Sequence, residues 1–245
     1  VTLNTRNIVT KDFFWETSLT YTKYKDRWKE RTPDWKPNVY EKETDPIRAI
    51  YSRRADHIMQ IGEEAPTAQP DLRPGQIVIK DLDGYVRDEN GNPKVDENGR
   101  FMLLGRPDGI IDEADTELIG TLDPGWMASM TNTFKYKGFD LNIMFNGMFD
   151  RIMQDPTEMD FGVNGGGIAQ SGYNMLRTIK DRWTFDNPST TRPSSYYITG
   201  TNYTAGDFFY QKAWFIRLQN ISLGYTLPKS LLAKNKVLSN VRFHA

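Results

Sequence analysis

The chain contains no cysteine among its 245 residues. Disulfide bonds, thiolate metal sites and a cysteine nucleophile are therefore excluded. Histidine is almost as scarce, because only His57 and His244 occur, and neither lies beside residues that would complete a metal site or a catalytic triad. Basic residues number 31 and acidic residues 32, so the chain has no cationic excess with which to bind the phosphates of a nucleic acid.

Long apolar runs are missing as well. No stretch of about 18 apolar residues occurs, so the sequence predicts no membrane-spanning helix. A transmembrane β-strand needs only about ten residues of alternating character, and that class stays open. The composition is 38% hydrophobic but 13% aromatic, which suits strands that bury one face. It agrees equally well with a soluble all-β domain and with a transmembrane barrel.

Alternation of apolar and polar residues predicts three strands. Residues 13–25 place aromatic and aliphatic side chains on one face, with hydroxyl and acidic side chains on the other. The segments 126–136 and 139–149 alternate in the same way and are joined by Lys137 and Gly138, which predicts a hairpin with a short turn. Aromatic residues at the strand ends favour a membrane barrel over a soluble sandwich.

A further strand is predicted from Phe215 onwards. Ile221, Leu223 and Tyr225 alternate with polar or small residues, and Pro228 ends the ladder because proline has no N–H to donate. Together with the hairpin, this strand predicts an all-β fold of antiparallel strands.

The connections between the predicted strands are of two kinds. The turn at 137–138 is short, whereas the segments 27–74 and 150–212 are long, polar and without clear periodicity. Such an asymmetry is typical of outer-membrane barrels, whose extracellular loops are long. Residues 229–240 are interpreted as a connector, and residues 241–245 begin another strand.

Two smaller elements are predicted inside the long segments. Residues 173–183 carry apolar side chains at helical spacing, which indicates a short helix. Residues 84–107 contain the tetrapeptide Asp-Glu-Asn-Gly twice, and each copy ends in an Asn-Gly pair that favours a hairpin turn. This segment is therefore predicted to be a protruding β-ribbon.

An interrupted acidic loop is the candidate metal site. Carboxylates that alternate around a glycine, with an apolar residue two places later, are typical of EF-hand-type loops, which bind Ca²⁺. The residues that would bind Ca²⁺ or Mg²⁺ are Asp81, Asp83, Asp108, Asp112 and Asp115. The alternative is that aspartate and glycine only form turns here.

Catalytic residues are not predicted. The carboxylate pairs Glu63-Glu64 and Glu158/Asp160 lie in polar segments, where acidic side chains are ordinarily solvated. Gly165-Gly166-Gly167 lacks the following lysine and hydroxyl residue of a phosphate loop. We therefore expect no enzymatic activity and no required cofactor.

Aromatic residues between the strands are candidates for contacts with a ligand or a partner, since aromatic faces stack on sugar rings and anchor protein interfaces. The alternative is that the long loops pack on one another and use these residues as a small core. The candidates are Trp183, Tyr196, Tyr197, Tyr203, Phe208 and Phe209.

Five motifs, in this order, resemble the SusC/RagA-like TonB-dependent outer-membrane transporters. The last motif is that of a near-terminal wall strand. The motifs cover nearly the whole chain and lie at 14–21, 74–84, 108–120, 136–141 and 218–229. The chain departs from the family where residues 85–107 split the acidic loop.

The resemblance implies a plugged barrel of roughly 22 strands, in which residues 1–245 would form a C-terminal part without the plug domain or the last strands. The segments 27–74 and 150–212 would be extracellular loops. The residue Val1 is not expected to be the original start of an exported protein, because no signal peptide follows it.

The resemblance also implies a function, which is import of an oligosaccharide or peptide through the outer membrane of a Gram-negative, Bacteroidetes-like bacterium. The implied partners are a SusD-like surface lipoprotein, membrane lipid, and TonB through a segment absent here. The alternative is a soluble, secreted, β-rich carbohydrate-binding module.

Overall fold

The structure is a computed structural model that describes residues 1–97, 99–163, 172–195, 205–233 and 237–245. The chain divides into two compact units. The first comprises Val1–Lys25, Asp123–Arg151 and Lys212–Ala245, and the second comprises Asp26–Leu122 and Ile152–Gln211. Within the described ranges, no helix is long and apolar enough to cross a bilayer.

Strands occur in both units, and they are long only in the first. In the described part of the chain they are β1 (Thr2–Val9), β2 (Phe13–Lys23), β3 (Ala49–Arg53), β4 (Ala55–Ile58), β5 (Ile77–Ile79), β6 (Thr116–Thr121), β7 (Trp126–Tyr136), β8 (Phe139–Phe149), β9 (Ile152–Gln154), β10 (Tyr210–Lys212), β11 (Phe215–Thr226) and β12 (Arg242–His244).

Helical structure is short wherever it is described. A four-residue α-helix, α1, spans Lys229–Leu232. Glu113–Asp115 and Arg177–Asp181 form 3₁₀ turns, and Glu158–Val163 forms a π-helical segment. The helix predicted over 173–183 is therefore wrong in type and length, because only the 3₁₀ turn at Arg177–Asp181 forms there.

The first unit is one antiparallel sheet with the strand order β1-β2-β7-β8-β11-β12. The predicted strands and the hairpin are confirmed, since β2, β7 and β8 span Phe13–Lys23, Trp126–Tyr136 and Phe139–Phe149. The short strand β12 pairs with the end of β11, which confirms a strand near the end of the chain.

The conformation of the turn between β7 and β8 accounts for the glycine at its second position. Lys137 has a φ of 53°, a left-handed conformation that is strained for most residues with a side chain. A Cβ atom at Gly138 would lie 2.6 Å from the carbonyl oxygen of Thr226. Only glycine therefore fits at the second position of the turn.

The second unit contains several small strand pairs. The strand β3 pairs antiparallel with β6, and β4 pairs antiparallel with β5, while β9 and β10 form a third pair. The segment 27–74 was expected to have no regular structure. That expectation is wrong, because β3 and β4 lie within it. These strands have only four or five residues each, which is too short for an alternation pattern to be evident.

Two small cores hold the second unit together. One is formed by the buried residues Ile77, Ile79, Val163 and Phe209. The other is formed by Met59, Leu72 and Val78. Alternate residues of β5 therefore belong to different cores, which is the pattern of a short strand buried on both faces.

Residues 84–107, predicted to form a β-ribbon, have three short segments joined by isolated β-bridges, and none of the described residues in this range lies in a continuous strand. The backbone N–H of Val86 donates to the carbonyl of Met102 at 2.9 Å, Met102 donates to Lys94 at 2.9 Å, and Lys94 donates to Val86 at 2.8 Å. Each segment thus bonds to both others in a closed triangle. Gly91 and Gly99 have positive φ angles at the two turns, as the Asn-Gly pairs predict, although Asn98 lies outside the described residues.

Candidate functional site

One face of the six-stranded sheet is mostly apolar, and we call it the apolar face. Strand pairing aligns Leu3, Leu19, Met130, Phe145 and Leu218 in one row across five strands. Several apolar residues on this face are at least half exposed within the chain, and an exposed apolar surface of this extent needs apolar surroundings. Among them are Leu3, Ile216, Leu218, Ile221 and Leu223, with exposures of 50–64%.

An aromatic belt lies at the end of the apolar face where the long segments leave and rejoin the sheet. The rings of Trp126 and Phe149 stack with their centroids 3.8 Å apart. Tyr21 lies 5.8 Å from Trp126, and Trp214 lies 6.4 Å from Phe149, measured between ring centroids. We call these four residues the loop-end belt.

A second belt lies at the opposite end of the same face. Trp15 and Phe134 stack at 5.7 Å, and Phe139 packs on Tyr225 at 4.4 Å. Tyr136 pairs with Phe139 of this second belt, and ten residues separate it from Trp126, or about 34 Å along the strand. At a tilt of about 40° this length spans about 26 Å, close to the apolar band of about 25 Å in outer-membrane barrels.

The opposite face of the sheet is polar. It carries Ser18, Thr133, Asn142 and Asn146, and the Asn142 side-chain amide donates to Thr133 Oγ1 at 3.1 Å. Such alternation of polar and apolar faces is the arrangement of barrel strands that separate a polar lumen from lipid.

One polar cluster interrupts the apolar face, and its members are hydrogen-bonded to one another around Asn132. The side-chain oxygen of Asn132 accepts hydrogen bonds from Trp15 Nε1 at 3.0 Å and from Thr17 Oγ1 at 2.7 Å. Asn7 Nδ2 donates to Thr17 Oγ1 at 2.7 Å. Mutual hydrogen bonding is what lowers the cost of polar groups on a surface that meets lipid.

Asp115 is the centre of the acidic loop in the second unit. It is 0% exposed, and its carboxylate accepts hydrogen bonds from the backbone N–H of Leu82 at 2.7 Å, Asp83 at 3.3 Å and Asp112 at 2.8 Å. Burial raises the pKa of Asp115, and these hydrogen bonds act in the opposite direction.

The other carboxylates of this loop also accept backbone hydrogen bonds. Asp83 accepts from the N–H groups of Gly105 at 2.7 Å and Arg106 at 3.2 Å. Asp81 Oδ2 accepts from Gly109 N–H at 2.7 Å, and the Asp112 side chain accepts from Ala114 N–H at 2.8 Å.

These carboxylates close loops rather than converge on one point. The first side-chain oxygen of Asp108 accepts from Ile110 N–H at 3.0 Å, within its own turn. No group of three or more His, Cys, Asp or Glu side chains that could hold a metal ion occurs in the part of the chain that the structure describes. The geometry therefore gives no support to the Ca²⁺ or Mg²⁺ site, which stays a prediction.

The candidate aromatic residues of the loops divide into two groups. Trp183 and Phe209 are buried, with exposures of 4% and 6%, and Phe208 packs against the core that contains Phe209. The burial of Trp183 and Phe209 favours the alternative interpretation, a core within the loops, although Phe209 also lines a cavity described below. Their contact with a ligand stays a prediction. The remaining candidates, Tyr196, Tyr197 and Tyr203, lie outside the described residues.

The position of Trp183 shows why it is buried. A Cβ atom at Gly75 would lie 2.5 Å from the indole ring of Trp183, so the ring packs directly on the backbone of Gly75. Its Nε1 donates to Gln60 Oε1 at 3.3 Å. No local pattern in the sequence identifies this contact, because Gly75 and Trp183 are far apart along the chain.

The sequence analysis also missed two features of the second unit. The guanidinium of Arg31 lies between the rings of Trp28 and Trp35, 4.3 Å from each centroid. Phe185 is 73% exposed. In the sequence, this arginine follows one tryptophan by three residues and precedes another by four. That spacing could have predicted the first feature.

A cavity of about 170 Å³ with both polar and apolar walls lies in the second unit. Its walls include an ion pair between Arg192 and Glu158, and Asp155, which accepts a hydrogen bond from Gln211 Nε2 at 2.9 Å. Phe208 supplies an apolar wall. Charges of both signs beside an aromatic ring suit a small polar ligand group.

The apolar face between two aromatic belts, with a polar face behind it, defines the class of protein. These are antiparallel wall strands of an outer-membrane β-barrel. The all-β barrel fold predicted from the sequence is thereby confirmed.

Two curated proteins of Formosa agariphila are similar to this chain in sequence. TonB-dependent receptor P3 is 25% identical over 259 residues, which cover 99% of this chain and 22% of the receptor. TonB-dependent receptor P26 is 26% identical over 133 residues, which cover 54% of this chain and 12% of the receptor. The chain thus spans less than a quarter of the length of the curated relatives it matches. No protein-family model matches it.

Solved structures of the RagAB peptide importer have the same fold. In its 'open-open' state the TM-score is 0.65 at 19% identity, over 99% of this chain and 23% of that chain. In its 'closed-closed' state the TM-score is 0.61 at 20% identity, over 99% and 24%. The predicted resemblance is confirmed, and the chain is related to the TonB-dependent receptors. The proteins it matches are receptors and importers, which agrees with the expectation that it is not an enzyme.

Proposed function

We propose that this chain forms part of a TonB-dependent importer in the outer membrane of a Gram-negative, Bacteroidetes-like bacterium. The observation that carries the proposal is the likeness to the RagAB importer, which extends over 99% of the chain at a TM-score of 0.65. The apolar face with its two belts supports it, because an exposed apolar sheet between aromatic girdles suits a bilayer.

In this proposal the two units have different tasks. The six-stranded sheet contributes barrel wall, with lipid on the apolar face and the import path on the polar face. The second unit, built from the long segments between β2 and β11, is extracellular and meets the ligand and a SusD-like surface lipoprotein. TonB acts on another part of the intact receptor. Transport consists of binding and gated passage, without making or breaking a covalent bond.

The proposed cargo is a peptide, with an oligosaccharide as the second candidate. The solved relative is titled a peptide importer, which supports testing peptides first. The cavity beside Arg192 and Glu158 supports the same choice, since a guanidinium and a carboxylate complement the charged groups of a peptide. An oligosaccharide would instead depend on exposed aromatic rings such as Phe185.

The experiment that tests this function uses a deletion strain of the native organism, complemented with the wild-type gene. We expect the deletion to abolish growth on a defined peptide mixture as sole amino-acid source, and complementation to restore it. Purification of the tagged protein in detergent should co-purify one surface lipoprotein, identified by mass spectrometry. If the deletion strain instead grew poorly only on oligosaccharides, the cargo would be a glycan and not a peptide.

Membrane fractionation distinguishes the proposal from the alternative of a soluble, secreted, β-rich carbohydrate-binding module. An outer-membrane barrel is extracted only with detergent. Recovery of the native protein in the soluble fraction, with no membrane-bound form, would contradict the importer and favour the binding module.

A further inference from the structure

The apolar face is not level, because one row across it has its smallest residues at the centre. Strand pairing aligns Tyr21, Ala128, Gly147 and Ile216 side by side. The methyl group of Ala128 and the bare backbone of Gly147 lie between two bulky residues. The neighbouring row towards the centre of the sheet, which contains Met130 and Phe145, is bulky throughout.

The small residues leave a groove between the Trp126 and Phe149 rings of the loop-end belt and that bulky row. Its volume is about 560 Å³, and its walls are apolar and include side chains from five strands. Gly147 cannot carry a side chain, since a Cβ atom there would lie 2.7 Å from the ring of Phe149 and 2.9 Å from the carbonyl oxygen of Phe215. The floor of the groove is thus fixed by backbone packing.

The depth of the groove in the bilayer follows from the belt beside it. Trp126 and Phe149 form the row immediately beyond Ala128 and Gly147, and aromatic belts mark the level of the lipid headgroups. The groove therefore lies one row inside the apolar region, where the upper part of an acyl chain is found. Long segments leave the sheet at this end, which is the extracellular end of an outer-membrane barrel.

A basic side chain stands at the headgroup level above the groove. Lys23 is two residues beyond Tyr21 on β2, on the same face of the sheet, and pairs with Trp126 across the strands. A lysine at this position extends its ammonium group towards the interface. Anionic lipid headgroups attract such a group.

We propose that this groove binds an acyl chain of a phosphorylated lipid of the outer leaflet, with Lys23 near the lipid phosphate. The occupant is a lipid because the groove continues the face that meets the bilayer. A protein partner would bury the rest of this face, including the loop-end belt at the level of the headgroups. The receptor would thus hold one lipid at a fixed position at the base of its extracellular loops, in addition to its role in import.

The test titrates diphosphoryl lipid A into the protein purified from outer membranes in detergent, and native mass spectrometry counts the bound lipids. We expect one lipid A to bind more tightly than any further one. Ala128→Leu and Ile216→Phe fill the groove from its floor and from its end, and each should weaken this first binding by about tenfold, the loss expected for about two methylene contacts. Lys23→Gln should weaken it by about fivefold.

Ile221→Phe is the matched control, because it adds as many carbon atoms as Ala128→Leu on the same face but outside the groove. It should leave the first binding unchanged. Equal affinity in Ala128→Leu and wild type would overturn the proposal, as would an equal loss in Ile221→Phe, because the lipid would then cover the whole face without a specific groove. Equal binding of phosphatidylethanolamine, unaffected by Lys23→Gln, would overturn the role given to the phosphate.

Discussion

Replacement of Asp115 by alanine is expected to open the acidic loop of the second unit. The substitution removes the acceptor of the N–H groups of Leu82 and Asp112, which lie 2.7 and 2.8 Å from the carboxylate oxygens. A buried donor without a partner costs about 1–3 kcal/mol, so the two together cost about 2–6 kcal/mol. Burial of the Asp115 carboxylate raises its pKa, which means that desolvation offsets part of this stabilisation. We therefore expect Asp115→Ala to lower the free energy of opening the loop by about 2–4 kcal/mol.

Hydrogen exchange of the protein in detergent, followed by mass spectrometry of peptides, measures this local opening. Peptides that contain Leu82 or Asp112 should exchange at least about thirtyfold faster in Asp115→Ala, since 1.4 kcal/mol corresponds to a factor of ten. Asp88→Ala is the matched control, because Asp88 also accepts two backbone hydrogen bonds, at 2.9 Å, but lies in an exposed turn where water replaces it. Its peptides should change by less than about threefold.

The same measurement tests the predicted metal site. Backbone N–H groups donate to both carboxylate oxygens of Asp115, so we expect the wild-type protein to show equal protection in excess EDTA and in excess CaCl₂. Protection that is lost in EDTA and regained with CaCl₂ would establish the metal. Similar exchange in Asp115→Ala and wild type would refute the assignment of the carboxylate as the centre of the loop.

Two further predictions concern the β7–β8 turn and a histidine in the second unit. Gly138→Ala should lower the resistance of the purified barrel to urea, because the new Cβ would meet the carbonyl oxygen of Thr226 at 2.6 Å; an unchanged urea midpoint would contradict this. Burial lowers the pKa of His57, but hydrogen bonds and charges of Asp56 and Glu63 raise it overall. Protonated His57 should therefore protect residues 56–63 from exchange below pH about 6.5. This protection should decline as the pH rises through the raised pKa, and His57→Gln should remove the decline.

At acid pH, the protection of residues 56–63 from exchange depends on pH in the opposite direction. The pKa values of Asp56 and Glu63 are lowered, that of Asp56 chiefly by its hydrogen bond with His57 and that of Glu63 chiefly by the backbone N–H of Gln60. The protection from these carboxylates is present above their ordinary pKa values and is lost as the pH falls through the lowered ones. A profile without any change between pH 6 and pH 8, the range about the pKa of histidine, would contradict the protonation of His57.

The sequence alone determined the wall strands of the sheet. Alternation in a strand has a period of two residues, so it is visible in any segment of about ten residues. For this reason the bounds of β7 and β8, the turn at Lys137 and the apolar side of β11 follow from local pattern. The Asn-Gly pair at Asn90-Gly91 is equally local, and Gly91 has the positive φ angle of the turn that it predicts.

Tertiary structure decided which of the candidate residues are accessible. Trp183 lies against Gly75, more than a hundred positions away along the chain, and is buried there. The carboxylates of Asp81 and Asp115 lie beside backbone N–H groups from distant segments, with which they form hydrogen bonds. Burial and hydrogen-bond partners of this kind depend on which distant segments meet.

The groove on the apolar face shows the same division. Its alternating strands are evident in the sequence, and so is the smallness of Ala128 and Gly147. Their alignment with Tyr21 and Ile216 in a single row is not, because it depends on the register of four strands. A shift of one residue in any pairing would turn a strand's apolar side chains to the other face. Local periodicity therefore determined the membrane-facing surface, and only strand register decided its shape.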